Sequence, residues 1–300
     1  MAQTPRFLMC RTIIELGGDM KKLRIVAMAL LIQLVFGFSF AVAQTSRVVS
    51  LGGSVTEIVY ALGAAQQLVG TDQSSLYPLA AQQLPSVGYY RRLPVEGVAS
   101  LKPTLVIASE HAGPAQVIDQ LSALKIKVVR VSDSPTIESL QQRVREIARA
   151  LDQDSKGDAL LQEFDQALKR AQSIAVTPLK AITVVMRSGK LLGAGHDTAA
   201  GVVLREAGLI NALSAQKGYR PLSAEAVSML TPEVIVVTRS TVDSMGSLQA
   251  VKDSPILRHT PAALNNRILV LDDLLAQGFG LRLPQAVQDI RQELAHATSR

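Results

Sequence analysis

One block of this chain occurs twice. Glu96, Val98, Leu101, Pro103 and the apolar run Leu105-Val106-Ile107 match Glu225, Val227, Leu230, Pro232 and Val234-Ile235-Val236, offset for offset. In each copy, apolar residues at helical spacing give way, past a proline, to a continuous aliphatic run. Each therefore predicts a short helix opening on a glutamate, followed by a buried strand. A chain built this way holds two lobes of similar plan. An acidic point at the matching place on each lobe suggests a ligand in the cleft between them and a partner that grips both at once.

Residues 1–43 are set apart from the lobes. Lys21, Lys22 and Arg24 precede the apolar stretch Ile25 to Phe40, and Ala41-Val42-Ala43 supplies the small residues a signal peptidase needs. This is the pattern of a secretory signal over 20–43, with residues 1–19 upstream of a start at Met20 and cleavage before Gln44. The stretch is short for a membrane span, contains Gln33 and Gly37, and lacks a basic stop-transfer flank. Cys10, the sole cysteine, falls in the discarded part. The exported chain is then expected to hold no disulfide, thiol nucleophile, thiolate metal site or lipid-bearing cysteine, and to be a free soluble protein of a bacterial periplasm.

Residues 1–43 carry five of the 31 basic and two of the 25 acidic side chains, which leaves 26 against 23. So mild a charge, with no basic stripe and no tryptophan, argues against nucleic acid as a partner. The 257 residues from Gln44 onward are enough to bury two modest cores or one large one, and the repeat favours two.

Apolar patterning predicts first-lobe strands at 48–51, 68–71, 105–108 and 128–131, with helices near 56–62, 96–101 and 115–124. Second-lobe strands are predicted near 182–186, 234–237 and 268–271, with a closing helix over 284–297. Alternating strands and helices imply an α/β fold, each lobe a mainly parallel sheet flanked by helices. Ligands of such sheets lie beyond the carboxyl ends of the strands. Between the lobes, Leu160, Leu161, Phe164, Leu168 and Ala171 recur at three- and four-residue spacing, opposite Asp165, Lys169 and Arg170. They form one amphipathic helix, about 30 Å long. The expected division is an amino-terminal lobe over 44–153, a linking helix over 154–175 and a carboxyl-terminal lobe over 176–300. Lobes joined only by a rigid helix do not close by a wide hinge, so the cleft should be largely pre-formed.

Several segments carry a family resemblance. They are Ser50-Leu51-Gly52-Gly53-Ser54-Val55-Thr56-Glu57, Val87-Gly88-Tyr89-Tyr90-Arg91-Arg92-Leu93 with Glu96-Gly97, Gly113-Pro114, Ala194-Gly195 with Thr198-Ala199-Ala200, Gly218 to Glu225, and Gly278-Phe279-Gly280. Through them nearly the whole exported chain resembles the periplasmic substrate-binding proteins of ABC importers, and within these the haem-binding HmuT type. The lobe plan is shared with cobalamin and siderophore binders; the glycine-tyrosine-any-arginine run points to haem. The resemblance implies haem b carried as cargo, a permease dimer with its ATPase as partner, and an outer-membrane haem receptor as a possible source. It implies Tyr89 as the ligand to iron. It also implies that Glu96 and Glu225 dock onto arginines of the two permease subunits, although a carboxylate at a helix start is favoured by the dipole alone.

Ferric haem accepts a phenolate as axial ligand. A free phenol titrates near 10, so a neighbouring cation must favour ionisation. Arg91 lies two residues from Tyr89, on the same side if the loop is extended, placed for the phenolate or for a haem propionate. Tyr90 remains the alternative ligand. Arg92, Arg220 and Arg239 are further candidates for the propionates, Arg239 favoured because it follows the strand ending at Val237. His111, His196, His259 and His296 lack partners at the spacing of a zinc site. His196, in the turn after a second-lobe strand, is a candidate distal contact. Some relatives hold a second stacked haem with a histidine near what is here Met186 to Ser188, and this chain has none. The turn at Gly193 and Gly195 lacks the third glycine and the distant acid of a dinucleotide site. Ser50 and Ser54 precede a helix but fit no nucleophile elbow, so a hydrolase is the remote reading and no catalysis is expected.

Overall fold

The computed structural model describes residues 46–298. The expected signal and Cys10 lie outside the described residues. Strand β1 (Val48–Leu51) is buried at every position, as a strand covered on both faces must be. With β2 (Leu68–Thr71), β3 (Leu105–Ser109) and β4 (Lys127–Val131) it forms a parallel sheet in the order β2-β1-β3-β4. The order reverses between β1 and β3, so the crevice of this lobe opens beyond their carboxyl ends. Its helices are α1 (Gly53–Ala61), α2 (Val95–Ser100), α3 (Ala115–Ala123) and α4 (Ile137–Ala150).

Helix α5 (Asp154–Gln172) then leads to the second sheet. Strands β5 (Lys180–Arg187), β6 (Lys190–Ala194), β7 (Ile210–Asn211), β8 (Tyr219–Pro221), β9 (Val234–Thr238) and β10 (Ile268–Leu271) take the order β10-β9-β5-β6-β8, with β7 beside β5. Strands β10, β9, β5 and β7 pair in parallel, whereas β6 runs antiparallel to both β5 and β8. Periodicity finds β5, β9 and β10 but not this hairpin. Its turn is Ser188-Gly189, both with positive φ, which folds β6 straight back onto β5 through two residues. Helices α6 (Ala199–Glu206), α7 (Ala224–Leu230), α8 (Arg239–Met245), α9 (Leu248–Lys252), α10 (Pro261–Leu264), α11 (Asp273–Gln277) and α12 (Leu283–Thr298) complete the lobe. No helix among the described residues is long and apolar enough to cross a membrane.

The core departs from the expectation of two separate centres. One apolar cluster runs from Val48, Ile58 and Ile107 of the first lobe through Leu161, Phe164 and Leu168 of α5 to Val234, Val236 and Leu271 of the second. Smaller clusters fill the outer side of each lobe. The reason is that α5 does not bridge open water: it packs along α4 and α12 and buries its apolar stripe against both lobes. Gly157 marks the closest approach, since a Cβ there would stand 2.6 Å from that of Ala148 in α4.

That contact sets two effects against each other. Alanine in place of a helical glycine ordinarily adds about 1 kcal/mol of stability. Here Gly157→Ala is expected to destabilise instead, by about 1–3 kcal/mol, because the methyl group overpacks the junction of α4 and α5. Urea unfolding of the two proteins reads the sign directly.

Candidate functional site

The carboxyl ends of both sheets face a cavity of about 480 Å³. From the first lobe, the turn after β1 brings Gly52, Gly53, Ser54 and Glu57 to its wall. Two glycines make this turn possible: Gly52 has φ +115°, and a Cβ on Gly53 would lie 2.6 Å from the Ser74 carbonyl oxygen. The buried Asp72 carboxylate fixes the turn by accepting from the Gly52 N–H at 2.9 Å, the Ser74 N–H at 2.9 Å and the Ser75 hydroxyl at 2.9 Å. Ser50 and Ser54 are both engaged structurally. Ser50 is buried against Thr56 at 2.7 Å, and the Ser54 oxygen accepts from Arg143 at 2.8 Å.

Arg143, fully buried in α4, lies beneath the cavity. Its Nε donates to the Ser132 carbonyl at 2.6 Å, one Nη to Ser54 Oγ and to the second-lobe carbonyl of Phe279 at 3.0 Å, and the other Nη faces Asp133 at 3.3 Å. A second link joins the lobes beside it. Arg282 Nε donates to Glu57 Oε1 at 3.1 Å, with its guanidinium 3.9 Å from the centre of the Tyr77 ring. Burial pushes the Glu57 carboxyl above its ordinary value, and the Arg282 charge opposes that only in part.

The tyrosine run departs from the extended loop of the sequence reading. After Gly88, with φ +94°, Tyr90–Arg92 form a 3-10 turn, so Arg91 is not placed by an extended loop. Its guanidinium carbon lies 5.0 Å from the centre of the Tyr90 ring instead. Tyr90 lines the cavity from a largely buried position, and burial raises its phenol pKa, with Arg91 acting the other way. Tyr89 is 41 % exposed, outside the cavity lining, its ring edge-on to that of Tyr90 at 5.2 Å.

The remaining sequence-selected residues are scattered. Arg92 and Arg239 are exposed and outside the cavity lining; Arg239 opens α8, whose first turn is capped by Thr238. Arg220 turns back to donate to the Lys217 carbonyl. His196 bonds the Ser214 carbonyl at 3.0 Å, and its neighbour Asp197 lines the cavity in its place. Glu96 and Glu225 stand exposed in the first turns of α2 and α7, the Glu225 carboxyl held below its usual range by its own backbone N–H and the Ser223 hydroxyl.

Sequence reasoning missed Arg187, Tyr219, Arg282 and Tyr77, and set His111 aside; all five line the cavity. Arg282 follows the Gly278-Phe279-Gly280 segment and was findable there. Arg187 closes β5, a place that no periodicity marks. No cluster of three metal-ligating side chains occurs among the described residues.

Two α/β lobes that face one cavity and are joined by a linking helix form the frame of a ligand receptor. A family model described as periplasmic binding protein matches residues 48–275. The chain belongs to that family. Among solved structures, the periplasmic heme-binding protein RhuT from Roseiflexus sp. RS-1 in apo form is 35 % identical, with a TM-score of 0.79 over 84 % of this chain and 99 % of that one. Among curated relatives, the uncharacterized ABC transporter substrate-binding lipoprotein YvrC of Bacillus subtilis strain 168 is 28 % identical over 84 % of this chain and 80 % of its own. The vitamin B12-binding protein of Vibrio parahaemolyticus is 26 % identical over 75 % and 81 %. The family consists of binding proteins and not of enzymes.

The raised Glu57 carboxyl gives this binding protein a signed pH dependence. A folded-state value above the ordinary 4.5 means that ionised Glu57 costs folding free energy. That cost is absent below the ordinary value and complete once pH passes the raised one. Glu57→Gln should therefore gain stability relative to the wild type as pH rises from 4 to 7, in urea unfolding at four pH values. A relative loss over that range would mean that the bond to Arg282 outweighs burial.

Proposed function

We propose that this chain is a periplasmic receptor for ferric haem, which it carries as cargo and delivers to the permease of an ABC importer. The observation that carries the reading is the turn at Gly88-Tyr89-Tyr90-Arg91: the Tyr90 phenol and the Arg91 guanidinium at one wall of a cleft, with the exposed Tyr89 beside them, in a frame that matches a heme-binding protein at 35 % identity. A vitamin B12 binder matches the chain at 26 % identity, and cobalamin is the second reading.

Tyr89 is the better axial ligand of the pair. It is 41 % exposed, within reach of an incoming pigment, whereas burial of Tyr90 works against ionising that phenol. Tyr90 then serves as a neutral wall that holds Arg91 in place. No bond in the cargo is made or broken by protein groups beyond the iron–oxygen bond and the proton lost from the phenol.

Delivery rests on Glu96 and Glu225. Both are exposed, both open a short helix, and neither forms an ion pair among the described residues, so each is available to a cation on a permease subunit. Docking at both points strains the lobes apart against the links made by Arg143 and Arg282, and the cleft loosens toward the membrane. The receptor works as a free periplasmic protein after loss of its signal, although YvrC is a lipoprotein. Its haem arrives free in the periplasm or from an outer-membrane receptor system.

Titration of the purified chain with hemin tests the cargo. Tyr89→Ala should shift the Soret band and weaken binding by at least the roughly 10- to 100-fold that loss of an outer partner of a metal ligand costs. Tyr90→Phe should keep both band and affinity, and the converse pattern would move the iron ligand to Tyr90. Saturable binding of hydroxocobalamin with no response to hemin would establish the second reading. For delivery, Glu96→Lys and Glu225→Lys should each lower haem uptake by permease-containing vesicles while leaving the hemin titration of the soluble protein unchanged.

A further inference from the structure

The internal repeat extends further than its helix and strand. At the 129-position offset that relates Glu96 to Glu225, Tyr90 falls on Tyr219 and Leu93 on Leu222. Both tyrosines line the cavity, one from each lobe. Each also has a guanidinium over its ring, Arg91 at 5.0 Å from the Tyr90 centre and Arg187 at 4.4 Å from the Tyr219 centre. The second arginine is not the repeat partner of the first. Arg220 holds that position and bonds the Lys217 carbonyl, while Arg187 arrives from the end of β5. The same arrangement is thus reached by different parts of the chain.

The charges in the cavity wall are unequally answered. Of the three arginines that line it, Arg282 is paired with Glu57 at 3.1 Å. Neither Arg91 nor Arg187 has a carboxylate within ion-pair distance among the described residues. The acids of the wall are directed elsewhere: Asp133 to Arg143, Asp197 to Lys217, and Asp273 to the Ser240 N–H and hydroxyl. The polar partner of Arg187 is the neutral Gln277 side chain, whose Oε1 accepts at 3.0 Å. A guanidinium seated on an aromatic face and bonded at one corner is fixed in plane, with its other N–H groups left for a planar anion.

We propose that Arg187, held in position by Tyr219 and Gln277, is the second-lobe receptor for a carboxylate of the cargo, the counterpart of Arg91 on the first lobe. This rests on the haem reading, since a ferric porphyrin with two propionates supplies one carboxylate for each unpaired guanidinium. Recognition then has two separable parts: the iron is held from the first lobe, and the propionate edge of the ring is held from both. Tyr219 is a positioning residue here. Its phenol is pushed up by burial and stays neutral, and its ring face supports the cation.

The test titrates wild type, Arg187→Met, Tyr219→Phe and Tyr219→Ala with hemin, with hemin dimethyl ester and with metal-free protoporphyrin IX. Arg187→Met should weaken hemin and protoporphyrin binding by roughly 10- to 100-fold, the range of a charge-assisted hydrogen bond, and leave the dimethyl ester within about twofold. Tyr219→Phe should bind all three like the wild type, because the ring and not the hydroxyl carries the stack. Tyr219→Ala should follow Arg187→Met. Arg187 is exposed, so its replacement does not endanger the fold, and the result stands even where Tyr219→Ala fails to fold. Unchanged hemin affinity in Arg187→Met, or an equal loss for hemin and its ester, overturns the inference while leaving the haem reading intact. Protoporphyrin binding that depends on Arg187, in a wild type whose iron spectrum does not respond, upholds the inference and removes the iron ligation. A wild type that ignores every pigment overturns both.

Discussion

A single buried guanidinium holds the site together. Arg143 has no access to solvent, yet every direction in which it donates or pairs belongs to the ligand cavity: the turn after β1 through Ser54, the end of β4 through Ser132 and Asp133, and the second lobe through the Phe279 carbonyl. A charge so placed costs a large desolvation free energy, offset here by the Asp133 carboxylate and three acceptors, although the Nη facing Asp133 has no hydrogen-bond partner among the described residues. The spacing of the two crevices follows from it. So does the position of the Gly278-Phe279-Gly280 segment, whose last glycine lies against Glu57.

The apolar core acts in the same direction. Because one cluster threads from β1 through α5 to β9 and β10, the lobes are halves of a shared interior with a cleft cut into one side. Opening that cleft widely would expose apolar surface along α5, at about 25 cal/mol per Å². Small movements cost less, since they stretch only the polar contacts at the cavity floor. A protein of this construction offers its ligand a site largely formed beforehand.

The site is more polar than a pocket for an uncharged aromatic would be. Three tyrosines and three arginines line it, and the tyrosines carry cations on their faces. Such a wall suits a ligand that is flat and anionic, and it ties the recognition of shape to the recognition of charge.

Much of this was legible in the chain. The repeat at Glu96 and Glu225, the strands β1, β2, β9 and β10 and the span of α5 follow from local periodicity, because the spacing that buries a stripe is written in consecutive residues. The hairpin of β5 and β6 was not legible: a two-residue turn at Ser188-Gly189 interrupts no apolar pattern. Arg282 finds Glu57 across 225 positions, and Arg187 meets Tyr219 only because that hairpin brings β8 to the sheet edge. The sequence by itself determined that there are two lobes, a linking helix and a tyrosine-arginine run. Tertiary structure alone decided which arginines enter the cavity, since the direction of a long side chain is set by contacts whose partners lie far away along the chain.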